Sequence, residues 1–124
     1  MEIELCGYKA MEDIVGAKIL KVDGLEIGCE AIVIKTDKGT YHMFHSQDCC
    51  ETVEIDDIVG DLKVGSTIHE VTEKTNIDLE GKGVDSSFTW TFYTIRTSNG
   101  YCDIKWYGTS NGYYSEYVYF VKRQ

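Results

Sequence analysis

One stretch decides the predicted fold: residues 87–107, which read SFTWTFYTIRTSNGYCDIKWY. Its aromatic and β-branched residues are typical of strands, and they alternate between two faces on both sides of a turn. The turn is Ser98-Asn99-Gly100, and its Asn-Gly pair is the strongest short-range signal for a hairpin. The stretch is therefore predicted as two antiparallel strands, residues 87–97 and 101–107.

The strand pattern continues on both sides of this hairpin. Residues 113–121 are predicted as a third strand after a turn at residues 108–112, which makes a C-terminal three-stranded meander. Further strands are predicted within residues 13–23 and at residues 30–36, 40–45 and 67–74. One helical turn is predicted at residues 56–62, with Asp56 as its cap, and an exposed, mobile loop at residues 75–86.

These elements predict a mostly β (α+β) fold, with an antiparallel sheet and one or two short helices. The chain has 124 residues, which is the size of a single domain, residues 1–124. Apolar runs such as residues 31–34 are far too short to cross a membrane. The acidic N-terminal residues lack the features of a secretory signal, so a cytoplasmic setting without membrane contact is expected.

The formal net charge is −9, from 21 acidic and 12 basic residues. Nucleic acids are normally bound through clustered Lys and Arg, so direct binding of DNA or RNA is not expected. An acidic total still permits a small anionic ligand in one positive pocket. Arg96 and Arg123 are the arginines of the chain and therefore candidates for such a pocket.

The cysteines number five, an odd count, and Cys49 and Cys50 are adjacent. Neither feature is typical of a secreted disulfide framework. The cysteines are expected to be reduced and mostly buried as small apolar side chains. Cys49 and Cys50 are expected to point to opposite faces, because neighbouring residues of a strand do so.

A first candidate site is the segment YHMFHSQDCCE, residues 41–51, which concentrates imidazole, thiol and carboxylate groups. These groups bind Zn²⁺, but the segment has no Cys-x-x-Cys pair, and no metal is predicted. A nucleophilic cysteine with His45 as its base is an enzymatic alternative. The simpler interpretation is that Asp48 and Glu51 stabilise a turn through backbone N–H groups.

A second candidate site is the segment WYGTSNGYYSE, residues 106–116. Most aromatic residues of the chain lie from Phe88 onward, and such rings stack on bases or form subunit interfaces. The alternative is an ordinary turn flanked by core aromatics. No phosphate-binding loop, dinucleotide fingerprint or hydrolase motif is present in the sequence.

These segments carry a resemblance to a known family. The matching stretches are HSQDCCETVEIDDIVGDL (residues 45–62), FTWTFYTIRTSNGYCDIKWYG (residues 88–108) and SNGYYSEYVYF (residues 110–120). The chain resembles a family of small proteins encoded by bacteriophages and prophages, catalogued as a domain of unknown function. Phage proteins of this style include inhibitors of bacterial immunity that bind a nucleotide-derived signal and hold it uncleaved.

The resemblance implies a protein of the host bacterial cytoplasm that sequesters a cyclic ADP-ribose isomer or a cyclic dinucleotide. It would need no cofactor and no catalytic residue, and it would act as a homo-oligomer with pockets at the interfaces. In the hypothesis, aromatic rings stack the base, cations neutralise phosphate, polar turn residues hold the ribose or phosphate, and the first candidate site lines or supports the pocket. The stacking rings are Trp106, Tyr107, Tyr113 and Tyr114, and the cations are Arg96 and Lys105. The polar turn residues are Ser110, Asn111 and Gly112, and the residues of the first candidate site are His45, Asp48 and Glu51.

Two alternatives of other classes remain. An acidic protein–protein inhibitor would cover a basic host factor, in one form as a mimic of nucleic acid, and salt would weaken its complex. A small enzyme would use the His45 and Cys49/Cys50 region and would release a changed product. A structural phage protein is a further possibility.

Overall fold

The computed structural model describes residues 3–75, 87–112 and 115–123. Within these ranges the elements, in chain order, are β1 (Ile3–Cys6), α1 (Tyr8–Asp13), β2 (Ile19–Asp23), β3 (Ala31–Thr36), β4 (Gly39–Phe44), β5 (Thr52–Gly60), β6 (Ile68–Thr75), β7 (Ser87–Thr97), β8 (Gly100–Ser110) and β9 (Tyr119–Arg123). The mostly β prediction is confirmed. The loop predicted at residues 75–86 falls almost entirely outside the described residues.

The described strands form two antiparallel sheets that share one core. The first sheet has five strands in the order β1-β9-β4-β3-β2, and the second has four in the order β5-β8-β7-β6. Tyr93 of β7 and Phe120 of β9 join the sheets, with ring centroids 6.0 Å apart. The Tyr93 hydroxyl also donates to the Val118 carbonyl oxygen at 3.2 Å. Buried residues of both sheets form a single apolar cluster, so the described parts of the chain share one core.

The two predicted hairpins are confirmed. Strands β7 and β8 pair from Ser87↔Ser110 to Thr97↔Gly100, so the two-residue loop is Ser98-Asn99 and the predicted turn residue Gly100 begins β8. Strands β3 and β4 pair up to Thr36↔Gly39. In both hairpins a glycine with positive φ follows the turn, at Gly39 and Gly100.

The predicted C-terminal meander is wrong in its third strand. That strand is β9, which begins at Tyr119 and pairs with β1 and β4 in the other sheet instead of with β8. The antiparallel meander of the structure is β6-β7-β8. Val118 and Phe120 are buried in the shared core, and this burial favours crossing to the five-stranded sheet.

The helical turn predicted at residues 56–62 is also wrong. Residues 56–60 are the second half of β5, which pairs with β8 as far as Gly60↔Cys102, and residues 61–62 follow the strand. The register shifts between Ile55 and Asp57. That irregularity breaks the two-residue alternation, and Asp56-Asp57 then resembles a helix start in sequence.

The helix of the described residues lies elsewhere, at α1. It begins after Gly7, whose φ of 64° is easily adopted only by glycine. Ala10 and Met11 are buried under the sheets, which fixes the helix against the core. No helix in the described ranges is long and apolar enough to cross a membrane.

A polar contact ties the end of α1 to the five-stranded sheet. Asp13 accepts a hydrogen bond of 2.6 Å from the Tyr41 hydroxyl and lies 2.9 Å from the Lys122 ammonium. These two contacts hold the pKa of the Asp13 carboxyl below its ordinary value. The helix end, β4 and β9 are therefore joined by charge as well as by packing.

Candidate functional site

A groove lies on the outer face of the five-stranded sheet. Its volume is about 600 Å³. Side chains of β3, β4 and β9 that point away from the core form its floor, because alternate residues of a strand face opposite sides. The groove is lined by Glu30, Ala31, Val33, His42, Phe44, His45 and Arg123.

Arg123 gives this groove a cation beside an aromatic ring. Its guanidinium carbon lies 5.2 Å from the centre of the Phe44 ring, within cation–π range. Its Nε donates a hydrogen bond of 2.9 Å to Nδ1 of His42. The guanidinium is thus held in a defined orientation on the sheet face.

His42 is held as the neutral imidazole. Burial, followed by the positive charge of Arg123, lowers the pKa of His42 below its ordinary value. Because Nδ1 accepts from Arg123, the ring proton resides on Nε2. His42 is therefore a neutral hydrogen-bond donor next to a fixed positive charge.

His45 joins the groove to the loop at residues 45–51. Its Nε2 lies 2.8 Å from Oε2 of Glu51, and its Nδ1 lies 2.6 Å from the Tyr117 carbonyl oxygen. Both partners accept, so both bonds form together only when the ring carries two protons. The Glu51 carboxylate that faces Nε2 of this ring is buried.

Glu51 organises the loop in the way the simpler interpretation predicts. Its carboxylate accepts the backbone N–H of Asp48 at 2.9 Å and that of Cys49 at 2.8 Å. Burial opposes ionisation, but the bonds from His45 and from these amides outweigh it and lower the pKa of Glu51 to about 2. The side chain of Glu51 is a structural anchor, and Asp48 takes part through its backbone.

The low pKa of Glu51 predicts how stability depends on pH. In the unfolded chain a Glu titrates near pH ~4.3, so the ionised Glu51 stabilises the fold above that pH, and the stabilisation is lost as the pH falls toward 2. Glu51→Gln removes this term. The difference in urea midpoint between the wild type and Glu51→Gln is therefore expected to be largest at pH 7 and to shrink steadily from pH 4.5 to pH 2.5.

The control for this experiment is Glu54→Gln, because Glu54 is an exposed residue close by on β5. Its urea midpoint is expected to follow the wild type at every pH. A Glu51→Gln difference that stays constant across the acid range would contradict the assigned role of Glu51.

Cys49 and Cys50 do not point to opposite faces, so that expectation is wrong. They lie in a bend between β4 and β5 instead of on a strand, and they are joined to each other by a disulfide. The other cysteines, Cys6, Cys29 and Cys102, are free thiols. The expectation of buried, reduced cysteines is met in full by Cys102 alone, since Cys6 is exposed and Cys29 is only partly buried.

Trp106 belongs to the core and not to a surface. It is fully buried on the inner face of β8, and its Nε1 has no hydrogen-bond partner among the described residues. Its neighbours Lys105 and Tyr107 point to the outer face of the four-stranded sheet. Both contact Trp90 there: the Lys105 ammonium lies 4.5 Å from its ring centre, and the Tyr107 ring centre 4.3 Å. The indole of Trp106 is therefore on the opposite side of the sheet from its predicted partners.

Arg96 lies far from the polar turn with which it was grouped in the hypothesis. It is exposed, with Glu70 3.6 Å away, and it faces Tyr101 near the closed end of the β7–β8 hairpin. Ser110 lies at the other end of β8. At ~3.3 Å per residue the two ends are roughly 30 Å apart. This separation is too large for one small-molecule pocket within a single chain.

The turn after β8 lies at the same end of the molecule as the loop of His45 and Glu51, because Thr52 pairs with Thr109. Ser110 donates to the carboxylate of the buried Glu116, and its Oγ accepts the N–H of Gly112 at 3.0 Å. Asn111 is exposed beside it. Tyr113 and Tyr114 lie outside the described residues.

Arg123 was named as a candidate cation, and His42 and Phe44 lie in the segment of the first candidate site, but none of the three was assigned a ligand-binding role in the sequence hypothesis. The signal for two of them was present, because alternation along β4 places His42 and Phe44 on the face opposite Tyr41 and Met43. Arg123 is brought to them by the pairing of β9 with β4, which the predicted meander precluded. Within residues 3–75, 87–112 and 115–123, no group of three or more His, Cys, Asp or Glu side chains is placed to hold a metal ion.

Comparison with known proteins gives one finding. The model of a family described as a domain of unknown function, DUF7448, matches residues 11–120. No curated protein sequence and no solved structure matches the chain.

Proposed function

The chain belongs to the DUF7448 family, a domain of unknown function, and we propose that it is a binding protein that sequesters a small nucleotide-derived signal without cleaving it. The ligand class is a cyclic ADP-ribose isomer or a cyclic dinucleotide. The setting is a bacterial host cell during phage infection, where the protein blocks an immune signal. Ligand class and setting come from the resemblance of the sequence to phage proteins.

The chemistry of the groove on the five-stranded sheet supports this proposal. Arg123 offers a fixed guanidinium, the group best suited to bind phosphate oxygens through paired hydrogen bonds. Phe44 offers a ring face beside it, and Ala31 and Val33 give an apolar floor. A phosphate beside a planar base needs this combination. The groove volume of about 600 Å³ lies in the usual range for small-molecule sites.

The hydrogen bonds of His42 and His45 support a protein that binds its ligand without cleaving it. Both ring nitrogens of His45 are used to connect Glu51 with the Tyr117 carbonyl. His42 keeps its ring proton on Nε2 and is therefore a donor on that side instead of a base. A ligand in the groove would meet the Arg123 cation and the Nε2–H donor of His42, which bind phosphate without removing a proton, and also the Glu30 carboxylate, which lines the same groove.

The open shape of the groove supports a homo-oligomer. Small-molecule sites bury most of their ligand, and tight sequestration at nanomolar Kd needs about 12 kcal/mol. A groove on one sheet face leaves its ligand exposed on the outer side. A second copy placed over the groove would close it, so we propose a dimer or higher oligomer with the ligand at the interface.

Native mass spectrometry tests the proposal. The protein is incubated with a panel of cyclic dinucleotides and cyclic ADP-ribose isomers, and bound material is released by heating. The expected result is one added ligand mass per site on an oligomer, with the ligand recovered intact. A released product of changed mass would indicate an enzyme, and no added mass from any panel member would favour the acidic protein–protein inhibitor, whose complex salt would weaken.

The two arginines allow a matched test of the site. Arg123→Gln keeps a polar side chain but removes the charge, and it is expected to raise the Kd of the bound panel member at least tenfold, since bonds to charged groups contribute about 1.5–3 kcal/mol. Arg96→Gln changes the other arginine, which is exposed and lies on the other sheet. It is expected to leave the Kd unchanged in isothermal titration calorimetry.

The opposite result would place the ligand site elsewhere on the protein. Loss of affinity in Arg96→Gln with normal affinity in Arg123→Gln would favour the hairpin site of the sequence hypothesis. Circular dichroism of both variants checks that each is folded.

A further inference from the structure

Cys49 and Cys50 form a disulfide between neighbouring residues, exposed at the surface of the loop at residues 45–51. An ordinary disulfide stabilises a protein by closing a long loop in the unfolded chain, and the effect grows with the number of enclosed residues. This disulfide encloses none, because the two cysteines are adjacent. Long-range cross-linking therefore does not account for it.

Backbone groups of this cysteine pair form hydrogen bonds within the loop. The N–H of Cys49 donates to Oε1 of Glu51 at 2.8 Å, and its carbonyl oxygen accepts from Nε2 of Gln47 at 3.1 Å. The same Gln47 nitrogen also donates to the Glu51 carbonyl oxygen at 2.6 Å. A bond between adjacent side chains closes a small ring through the peptide group of Cys49 and Cys50, and this ring restricts the backbone that presents these groups.

From Glu51 the contacts continue to the groove. Oε2 of Glu51 lies 2.8 Å from Nε2 of His45, and His45 lines the groove that also holds Arg123. The other ring nitrogen of His45 contacts the Tyr117 carbonyl oxygen at 2.6 Å. The disulfide is thus connected to one wall of the groove through two residues, Glu51 and His45.

We propose that Cys49–Cys50 is a thiol–disulfide exchange site that sets the order of the loop at residues 45–51 and thereby the shape of the groove wall at His45. With the disulfide formed, the loop holds Glu51 and His45 as described. With both thiols free, the small ring opens and the amides of Asp48 and Cys49 lose part of their hold on Glu51. The effect on ligand binding rests on the proposed function, and the effect on the loop does not.

The exchange is a balanced two-electron reaction with a dithiol reductant. A thiolate of the reductant attacks one sulfur of Cys49–Cys50, the S–S bond breaks, and the departing thiolate takes a proton from water. The second thiol of the reductant resolves the mixed disulfide. The reductant becomes a disulfide, and both cysteines become thiols. Because both cysteines are exposed, the bond is accessible to such a reagent.

The first experiment counts reactive thiols in the full-length protein. The protein is oxidised with diamide, desalted, and alkylated with iodoacetamide under native conditions, with or without prior dithiothreitol, and the sites are identified by peptide mass spectrometry. We expect Cys6 to react in both samples, because it is an exposed free thiol. Cys49 and Cys50 are expected to react only after reduction, and their full alkylation in the oxidised sample would overturn the proposal.

The second experiment follows the loop by amide hydrogen exchange in NMR spectra. The N–H groups of Asp48 and Cys49 are expected to exchange at least tenfold faster after reduction. Cys6→Ser is the matched control and should keep this response. Cys49→Ser/Cys50→Ser should exchange fast with or without reductant, and equal exchange in the oxidised and reduced wild type would overturn the proposal.

Ligand titration then separates this proposal from the proposed function. A panel ligand that binds the oxidised form more tightly than the reduced form supports the full proposal, whereas equal affinity overturns its effect on the groove. A protein that binds no panel ligand, yet shows the redox-dependent exchange of Asp48 and Cys49, contradicts the proposed function and supports the exchange site.

Discussion

Replacing Trp106 with alanine is expected to destabilise the protein by about 3–5 kcal/mol, the usual cost of removing a large buried aromatic side chain. Trp106 has no exposed surface and lies on the inner face of β8. Truncation removes its apolar contacts and leaves a cavity between the sheets, which the strands cannot close without moving. Urea unfolding followed by circular dichroism measures the loss.

Two further variants make this result specific. Tyr101→Ala changes an aromatic residue of the same strand that is half exposed, and it is expected to cost less than ~1 kcal/mol. Trp106→Phe retains most of the buried volume and should recover much of the stability lost in Trp106→Ala. If Trp106→Phe is stable but cannot bind a ligand that the wild type binds, Trp106 has the stacking role that the sequence hypothesis assigned to it.

The second large effect is expected for Gly60→Ala, with a loss of about 2–4 kcal/mol. Gly60 ends β5 with a φ of 91°, a conformation that side chains with a Cβ rarely adopt. A Cβ built there lies 2.1 Å from the Tyr101 carbonyl oxygen, which belongs to the backbone of the paired strand. Relief of that contact requires β5 and β8 to move apart at their last pair, Gly60↔Cys102.

Gly112→Ala separates the contact from the backbone strain. Gly112 has nearly the same φ, 93°, but a Cβ there meets nothing within 4 Å. Its substitution is expected to cost only the conformational strain, about 1–2 kcal/mol. Equal losses in Gly60→Ala and Gly112→Ala, measured by urea unfolding, would show that the Tyr101 contact is not decisive.

The local pairings of the fold were predictable from the sequence. In β7 and β8 the apolar residues alternate, and Asn99-Gly100 signals a turn, so the hairpin itself was predictable. Its exact register was not, because the two-residue loop is Ser98-Asn99 and Gly100 already pairs with Thr97. The β3–β4 hairpin is predicted by the same two signals. Both depend on residues that are near each other in the chain.

The failures involve contacts between distant segments. Strand β5 has a register shift near Asp56, and its strand character depends on pairing with β8, some fifty residues later. Strand β9 leaves its sequence neighbour β8 and joins β4 because Val118 and Phe120 bury themselves in the shared core. Neither pairing can be predicted from the residues next to the strand in the sequence.

In the candidate site, too, contacts between neighbouring residues were predictable and contacts between distant segments were not. The turn built by Glu51 was predicted, because its acceptor groups and the amides it binds are two or three residues apart. Arg123 and His42 are 81 residues apart, and only the pairing of β9 with β4 brings them together. Adjacent cysteines on a strand would diverge, whereas the bend at Cys49 and Cys50 allows them to bond.

The amino-acid pattern alone established a small, acidic, mostly β domain with two tight hairpins, since alternation and turn chemistry act over a few residues. It also placed Trp106 and Tyr107 on opposite faces of one strand. Which face is buried was decided by the tertiary structure, because β7 and β8 carry large apolar or aromatic side chains on both faces. Packing of the two sheets around their shared core turns Trp106 inward, and the same packing leaves Phe44 and Arg123 outside, where the groove forms.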